Sequence, residues 1–355
     1  MDTITQALLG AAIGQAGFAR KLGPRAVVIG ALAGTVPDFD VIAGIAGETA
    51  GWVHHRGITH SLVATPIIGM ILGEITWRMH HRTARRTGLA EHLRRGDASA
   101  RAKWMWLWIL GLATHPVLDF FTPYGTQLLA PLSDHRFALD AMAIIDPVYS
   151  APLLLAILFG WMFGMRRRRS AHFAGAMLFA STAYLFFALG ENDKALALAK
   201  DDLAAKNMNA AQLRAYPTLF QPFYRRVVAR DGDHAHVAYM STLNPQPLTW
   251  ETKKAAPLKL TGEVDQAEIV QIFKWFARGD VLWQAVKAPE GGTRLYLADM
   301  RYGSPGTAEA PEGFWGLTAR VDANGKVIEP LSRYSARPEP DKETFTQLVD
   351  ATLGR

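Results

Sequence analysis

Histidines and aspartates gather in four short pieces of the first 150 residues: Asp38 and Asp40, then His54, His55 and His60, then His115 and Asp119, and finally Asp146. His115 and Asp119 are four apart, so on one helix they leave the same face about one turn from each other. That geometry suits two ligands of one metal or of neighbouring metals, and equally a buried His–Asp hydrogen bond. Pro116 between them predicts a kink that opens backbone and space beside the pair. Asp38 and Asp40, two apart, cannot share a face of an α-helix, but a turn or unwound segment at Pro37 would aim both inward. His55 and His60 flank Gly57 at a loop and a helix start, with Thr59 or Ser61 available as the cap, and two imidazoles so placed can converge on one centre. His54 reads as a solvated loop histidine. Arg56 and Arg136 present planar forks of donors that either grip a phosphate or carboxylate or neutralise the neighbouring aspartates. The connection Thr122–Gln127, with Asp140, supplies further polar groups.

The elements that must position these residues are apolar. The chain has 355 residues, no cysteine and a net charge of +6. Disulfides, thiolate-bound zinc, iron–sulfur clusters and thiol nucleophiles are thereby excluded, and any metal must be held by His, Asp or Glu. Mean hydropathy is +0.04 with a pI near 9.5, an average over an oily first half and a watery second half. The basic residues sit beside apolar segments rather than along a face interleaved with aromatics, which argues against nucleic acid and for membrane topology. Six apolar stretches precede residue 191, approximately Ile4–Phe18, Ala26–Ala46, Leu62–Trp77, Trp104–Phe121, Ile144–Met165 and His172–Gly190. Against the roughly 20 residues that a spanning helix needs, the last three are good candidates, the second is interrupted at Pro37–Asp40, and the first and third are short. The N-terminal stretch lacks a basic start and a cleavage site, so it reads as a retained helix rather than a signal peptide. Gly10, Gly14 and Gly17, like Gly30 and Gly34, are spaced for close helix packing. If all six stretches cross, Arg20, Lys21 and Arg25, the run from Arg78 to Lys103, and Arg166–Arg169 share one side. The positive-inside rule makes that side cytoplasmic. The His and Asp residues and everything after Glu191 then face the exterior.

Taken together, Met1-Asp2 with Thr5, Pro37-Asp38-x-Asp40, His55-Arg56-Gly57-x-Thr59-His60-Ser61, Thr114-His115-Pro116-x-x-Asp119, Thr122-x-Tyr124-Gly125-Thr126 and Ile145-Asp146-Pro147 resemble the YdjM family of bacterial inner-membrane proteins. Its members carry the label of predicted metal-dependent hydrolases. The resemblance covers about residues 1 to 165, in the family's motif order. It implies Asp38, His55, His60, His115 and Asp119 as ligand candidates and the bacterial inner membrane as location. Family members tend to have Thr-His near the N-terminus where this chain has Thr5-Gln6, an amide in place of an imidazole.

The expected metal set is Asp38, His60, His115 and Asp119, with Asp40 as a further carboxylate. His55 is ligand or general acid/base, and Arg56 the substrate grip. Nitrogen and carboxylate ligands without sulfur suit zinc first, with manganese or iron(II) as further fits and the number of ions open. Such a centre at the outer membrane–water boundary points to hydrolysis of an ester or phosphodiester of a lipid or envelope component. The alternative is a non-catalytic metal-stabilised scaffold or a transporter, since intramembrane Asp and His also serve ion pathways. The inner halves of the segments carry little charge besides Glu74, which leaves no polar path across.

The expected fold is a multi-pass α-helical membrane domain of about six segments over 1–190, a helical linker over 191–209, and a soluble extracytoplasmic α+β domain over 210–355. In the last, Phe223–Ala229 and Ala235–Ser241 read as a hairpin around Arg230–Asp233. Val281–Val286 and Arg294–Ala298 read as another, Gly313–Val321 as a strand entering a turn at Ala323–Lys326, and Lys342–Leu353 as a final helix. Trp250, Trp275, Trp283 and Trp315 read as core or interface anchors, and His234 and His236 as neighbours on one strand face without a functional partner.

Overall fold

The computed structural model describes residues 1–86, 97–303, 313–336 and 342–354. They form two compact units, one of Met1–Leu139 with Ile144–Phe187 and the other of Asp140–Ala143 with Ala188–Arg355.

The first unit is helical. Helix α1 (Thr3–Ile13) starts at Asp2, whose carboxylate accepts from the Thr5 backbone N–H at 2.9 Å and from the Thr5 hydroxyl at 2.6 Å. It passes through a π-helical turn, Gly14–Phe18, into α2 (Ala19–Leu22), and α3 follows at Arg25–Thr35. Helices α1 and α3 cross on glycine. A Cβ on Gly10 would stand 2.0 Å from the Gly30 carbonyl oxygen, on Gly14 2.2 Å from that of Ala26, and on Gly34 2.2 Å from that of Gln6. Apolar helices gain little from leaving lipid for each other, so backbone approach of this kind supplies the packing. Gly17, expected in the same stripe, has open space around it.

After α3 the backbone tightens into a 3-10 helix over Val36–Ala46. Eleven residues is long for this form, in which runs beyond three or four are uncommon. Pro37 enters it near the start, where a missing N–H costs nothing. Gly47, at φ 132°, ends it, and α4 (Glu48–His54) packs back with Gly51 against Gly44. A short 3-10 turn at Ile58–His60 precedes α5 (Ala64–Arg86). Ser61 rather than Thr59 caps that helix, accepting from Val63 N at 3.0 Å and Ala64 N at 3.4 Å. Helix α6 (Asp97–Phe120) continues through Pro116, and Gly69 and Gly73 let α5 approach its Ile109 and Met105. Helix α7 (Pro147–Phe163) is capped by Asp146, and α8 (Arg168–Ala205) runs 38 residues.

All six expected apolar stretches are helical, but fewer qualify as spans. Among the described residues two helices are long and apolar enough to cross a membrane, Arg25–Ala46 and Arg168–Ala205. A third is counted if Thr49–His60 and Ala64–Arg82, bent by 67°, act as one. Pro147–Phe163 is apolar but shorter. The helical segments expected in this unit are present, and length and composition qualify two or three of them as spans.

The second unit holds two four-stranded antiparallel sheets, each in sequential order. The first is β1 (Gln212–Pro217), β2 (Tyr224–Asp231), β3 (His234–Ser241) and β4 (Glu251–Lys254). Helices α9 (Leu258–Asp265) and α10 (Glu268–Phe276) lead to the second, β5 (Val281–Lys287), β6 (Thr293–Asp299), β7 (Trp315–Val321) and β8 (Val327–Ser335), with α11 (Lys342–Leu353) last. The expected hairpins β2–β3 and β5–β6 pair antiparallel, and the turn after β7 leads into β8. The expectation missed β1, β4 and the helix pair α9–α10. The linker expected over 191–209 is part of α8 up to Ala205, where Ala195 and Ala199 pack against Ala215, Val227 and Ala238 of the first sheet. The opposite face buries Tyr216, Val228 and Val237 against Leu282 and Ala298 of the second sheet. Full burial of such a Val or Leu contributes about 1.5–3 kcal/mol. Trp250 and Trp283 donate their indole N–H to Asp202 at 2.8 Å and Asp265 at 2.6 Å, as anchors should.

Candidate metal centre

Three helical elements deliver the site. The 3-10 helix after α3 brings Asp38, the short turn before α5 brings His60, and the last two turns of α6 bring His115 and Asp119. Ligand atoms of Asp38, His60 and His115 lie within 4.8 Å of one another. Asp38 Oδ1 is 3.3 Å from His115 Nε2 and 3.6 Å from His60 Nε2. Asp119 Oδ2 is 3.4 Å from His60 Nε2 and 3.6 Å from His115 Nε2. The side chains of His60, His115 and Asp119 have no exposure, whereas Asp38 keeps 19%.

The other nitrogen of each ring assigns the tautomer. His115 Nδ1 lies 2.6 Å from the Gly34 carbonyl oxygen, an acceptor only, so Nδ1 carries the proton. His60 Nδ1 lies 3.1 Å from Asp40 Oδ2, which likewise places the proton there. In the neutral form of each ring the Nε2 lone pair then faces the carboxylates, and neither Nε2 nor Asp119 Oδ2 makes a hydrogen bond. Lone pairs and carboxylate oxygens gathered without water repel unless a cation or protons stand among them. Donors about 2.0–2.1 Å from a tetrahedral ion are about 3.3–3.4 Å apart, close to the distances found. The donor set therefore fits a divalent cation.

Asp40 stands one step behind. Its carboxylate accepts from the Arg56 backbone N–H at 3.0 Å and from Thr59 Oγ1 at 2.6 Å, and it lies 2.6 Å from His55 Nδ1. It holds His60 from behind, as carboxylates commonly hold metal-bound imidazoles. Asp38 and Asp40 thus bracket the His60 ring from its two nitrogens. Three residues per turn in the 3-10 helix, rather than 3.6, make this i, i+2 bracket possible.

Arg56 adopts φ 60°, the left-handed region that non-glycine residues rarely occupy. Its buried guanidinium has Nε 3.1 Å from Asp119 Oδ2, donates to Thr122 Oγ1 at 2.9 Å and lies 4.5 Å above the Tyr124 ring. Of the two readings left open for this residue, the ion pair with an aspartate is what the structure contains. Gln6 donates to Asp119 Oδ1 and to the His115 carbonyl, each at 3.2 Å, and the Met1 amino group also meets Asp119 Oδ1. The position where relatives tend to have histidine is thus at the centre, as an amide donor.

His54, read as solvated, is exposed. Other polar groups of the outer connections lie away from the centre. Arg136 donates to the carbonyl oxygens of Gly125 at 2.8 Å and Trp52 at 3.2 Å, tying the outer connections together. Asp146 caps α7 through the N–H groups of Val148 and Tyr149 and accepts from Tyr184 Oη at 2.8 Å. Asp140 belongs to the second unit, where it pairs with Arg278 at 2.6 Å. The sequence reading overlooked the Gly34 carbonyl and the Thr3 hydroxyl, which donates to Asp38 Oδ2 at 3.1 Å. No residue type announces a backbone acceptor, although the Gly30/Gly34 spacing that seats Gly34 beside α1 was visible.

Buried imidazoles and carboxylates collected among apolar helices of membrane length define an integral membrane protein with a candidate metal centre. The chain belongs to the YdjM inner membrane protein family, whose model matches residues 1–194. It is also 30% identical over 168 residues to a Bacillus subtilis (strain 168) protein described as "Uncharacterized protein YfhP", a match covering 44% of this chain and 45% of the relative. The chain thus spans less than half the length of that relative. No solved structure matches it.

Proposed function

We propose that this protein is a membrane-embedded, metal-dependent hydrolase that acts at the outer membrane–water interface on an ester or phosphodiester of a lipid or envelope component. The observation that carries the reading is the pair of buried Nε2 lone pairs, each fixed by a hydrogen bond at Nδ1, facing two carboxylates at 3.3–3.6 Å. Asp38, His60, His115 and Asp119 would hold the ion, and the nitrogen–oxygen donor set and its spacing favour zinc. Held there, a divalent cation supplies Lewis acidity toward an ester or phosphoryl oxygen and activates water near neutral pH. His55, oriented by Asp40 and with its side chain 21% exposed, is placed to accept and return a proton at Nε2. Arg56 fixes the Asp119 carboxylate and, with the Met1 amino group on the same carboxylate, would neutralise charge developing on the substrate.

Depth supports the interface. From Lys103 in the basic stretch to Asp119 is sixteen helical residues, about 24 Å at 1.5 Å per residue. In our reading α6 crosses even though length and composition do not count it among the candidate spans; with its basic end at the inner boundary of a roughly 30 Å hydrocarbon core, the centre would lie just inside the outer one. We read the helical unit as multi-pass, with the centre and the second unit on the periplasmic side.

The test is metal analysis of the purified full-length protein and its His115→Ala and Asp119→Ala variants, beside hydrolysis of bis(p-nitrophenyl) phosphate by membranes enriched in each. Stoichiometric metal lost in both variants, with turnover in the parent, is the expected result. Unchanged metal in both variants removes the centre. Metal without turnover on phosphodiester, lipid or cell-wall extracts favours the scaffold, a reading to which the engagement of Asp119 by Gln6 and Arg56 lends weight.

A further inference from the structure

The 3-10 helix that carries Asp38 has a second property, which bears on how a substrate reaches the centre. Residues three apart eclipse one another in this form, so Phe39, Ile42 and Ile45 stand in one straight row about 12 Å long at 2.0 Å per residue. All three are exposed, at 63%, 59% and 85%. On an α-helix the same residues would fan out. From Phe39 to Ala46 the one charged residue is Asp40, and it is turned away to His55, Thr59 and His60. The row is continuous with the candidate span Arg25–Ala46, of which it forms the outer end.

The row borders the only ligand with an exposed side chain. Asp38, immediately before Phe39, keeps 19% of its side chain accessible, and the other three ligands keep none. On the other side of Asp38, the exposed Thr3 hydroxyl bonds its Oδ2, and the next residue, Ile4, is 74% exposed. The open side of the centre is therefore framed by Ile4 and Phe39, with the apolar row leading away from it.

Resting on the hydrolase reading above, we infer that the centre opens sideways into the bilayer. The Phe39–Ile42–Ile45 row is then a lipid-facing wall along which the acyl chain of a membrane-resident amphiphile lies while its head group reaches Asp38. The substrate class is narrowed accordingly to amphiphiles delivered from the lipid phase, and water-soluble esters and phosphodiesters of the envelope are excluded as natural substrates.

The absence of cysteine from the chain makes the test clean. Single-cysteine variants Ile4→Cys, Phe39→Cys, Ile42→Cys and Ile45→Cys of the full chain are spin-labelled in phosphatidylethanolamine/phosphatidylglycerol bilayers. Collisions with oxygen, which concentrates in lipid, are compared with collisions with a water-soluble nickel chelate. Phe186→Cys in the α8 span is the lipid reference and Glu251→Cys on β4 the aqueous one, both at exposed positions. The four labels are expected to match Phe186 and to exceed Glu251 several-fold in the oxygen-to-nickel ratio. Labels at Ile4 and Phe39 that meet nickel as often as Glu251 overturn the sideways opening, whatever the metal content of the same samples. Four lipid-facing labels on a protein that binds no metal overturn it differently, by removing the centre the wall would serve while leaving the wall.

Discussion

Both units bury charge, and they complete it in opposite ways. In the β unit, Asp299 and Arg301 are both fully buried and form a bidentate pair, with Nε–Oδ1 at 2.9 Å and Nη2–Oδ2 at 2.7 Å, and the Trp315 indole adds a third donor at 3.2 Å. Arg225, equally buried, donates to the carbonyl oxygens of Pro222, Asp140, Ala141 and Ala188 and to Asn192 Oδ1. Asp280 accepts from Tyr216 at 2.5 Å and pairs with Arg214 at 3.0 Å. These groups satisfy one another. In the helical unit, His60, His115 and Asp119 are as deeply buried, yet Nε2, Nε2 and Oδ2 face one another without hydrogen bonds. The difference separates buried charge whose every named group is paired from a cluster in which three polar atoms converge without hydrogen bonds to one another, and it cannot be read from burial or residue type alone.

The largest effect that tests this contrast is expected from Arg301→Ala, which strands Asp299 in the core. Removing one partner of a buried pair costs about 3–5 kcal/mol. Denaturant unfolding followed by tryptophan fluorescence should register that loss, while metal content stays at the parental level. His115→Ala should do the reverse. Metal affinity, read by competition with a chelator, is expected to fall more than about 100-fold, beyond the roughly 10–100-fold that outer-shell losses cost, with little change in unfolding of the metal-free protein. Asp40→Asn keeps all four proposed ligands and alters only what stands behind His60, so its affinity loss should fall within that roughly 10–100-fold range. A loss as large as that of His115→Ala would make Asp40 a ligand in its own right.

Gly10→Ala probes the backbone packing that holds the helical unit together. A methyl 2.0 Å from the Gly30 oxygen must push α1 from α3, at about 1–3 kcal/mol. Gly17→Ala, with nothing near it, should be neutral in the same thermal-shift assay. The smallest effect concerns Tyr216. Burial, and then the Asp280 and Asp140 carboxylates, push its phenol well above the ordinary 10.0. A group whose folded value is raised stabilises fully below the unfolded value and loses that contribution as pH rises beyond it. Stability should therefore fall above about pH 10. Tyr216→Phe should abolish that component of the decline while costing about 1.5 kcal/mol at neutral pH through the lost bond to Asp280.

Much of the site was readable because chemistry and spacing coincide. The i, i+4 pair on α6 could hardly avoid sharing a face, and Pro37 announced the departure from α-helix that lets Asp38 and Asp40 bracket one ring. What escaped was longer in range. Asp140 and Asp146 have the same residue type as Asp38 and also lie outside regular α-helix, yet one pairs with Arg278 and the other caps α7; only tertiary partners distinguish them. The number of crossings was less legible, since the apolar stretches all become helices while length and composition qualify two or three of them as spans. In the β unit, turns rich in glycine and aspartate exposed the hairpins. The short polar strand β4, Glu251–Lys254, carries no alternating pattern and is recognised only by its antiparallel register with β3, where Thr252 Oγ1 lies 2.8 Å from His236 Nδ1.

Gly34 ties two scales of this molecule together. Its missing Cβ lets α1 sit against α3, and its carbonyl takes the proton that keeps His115 in one tautomer. A methyl at this position would shift the helix and withdraw the acceptor in the same movement, freeing the imidazole to turn its other nitrogen inward. Mutational drift at a residue that bears no functional group is thus constrained from two directions at once, by steric room and by ring electronics, and position 34 should tolerate change less well than several of the charged residues around it.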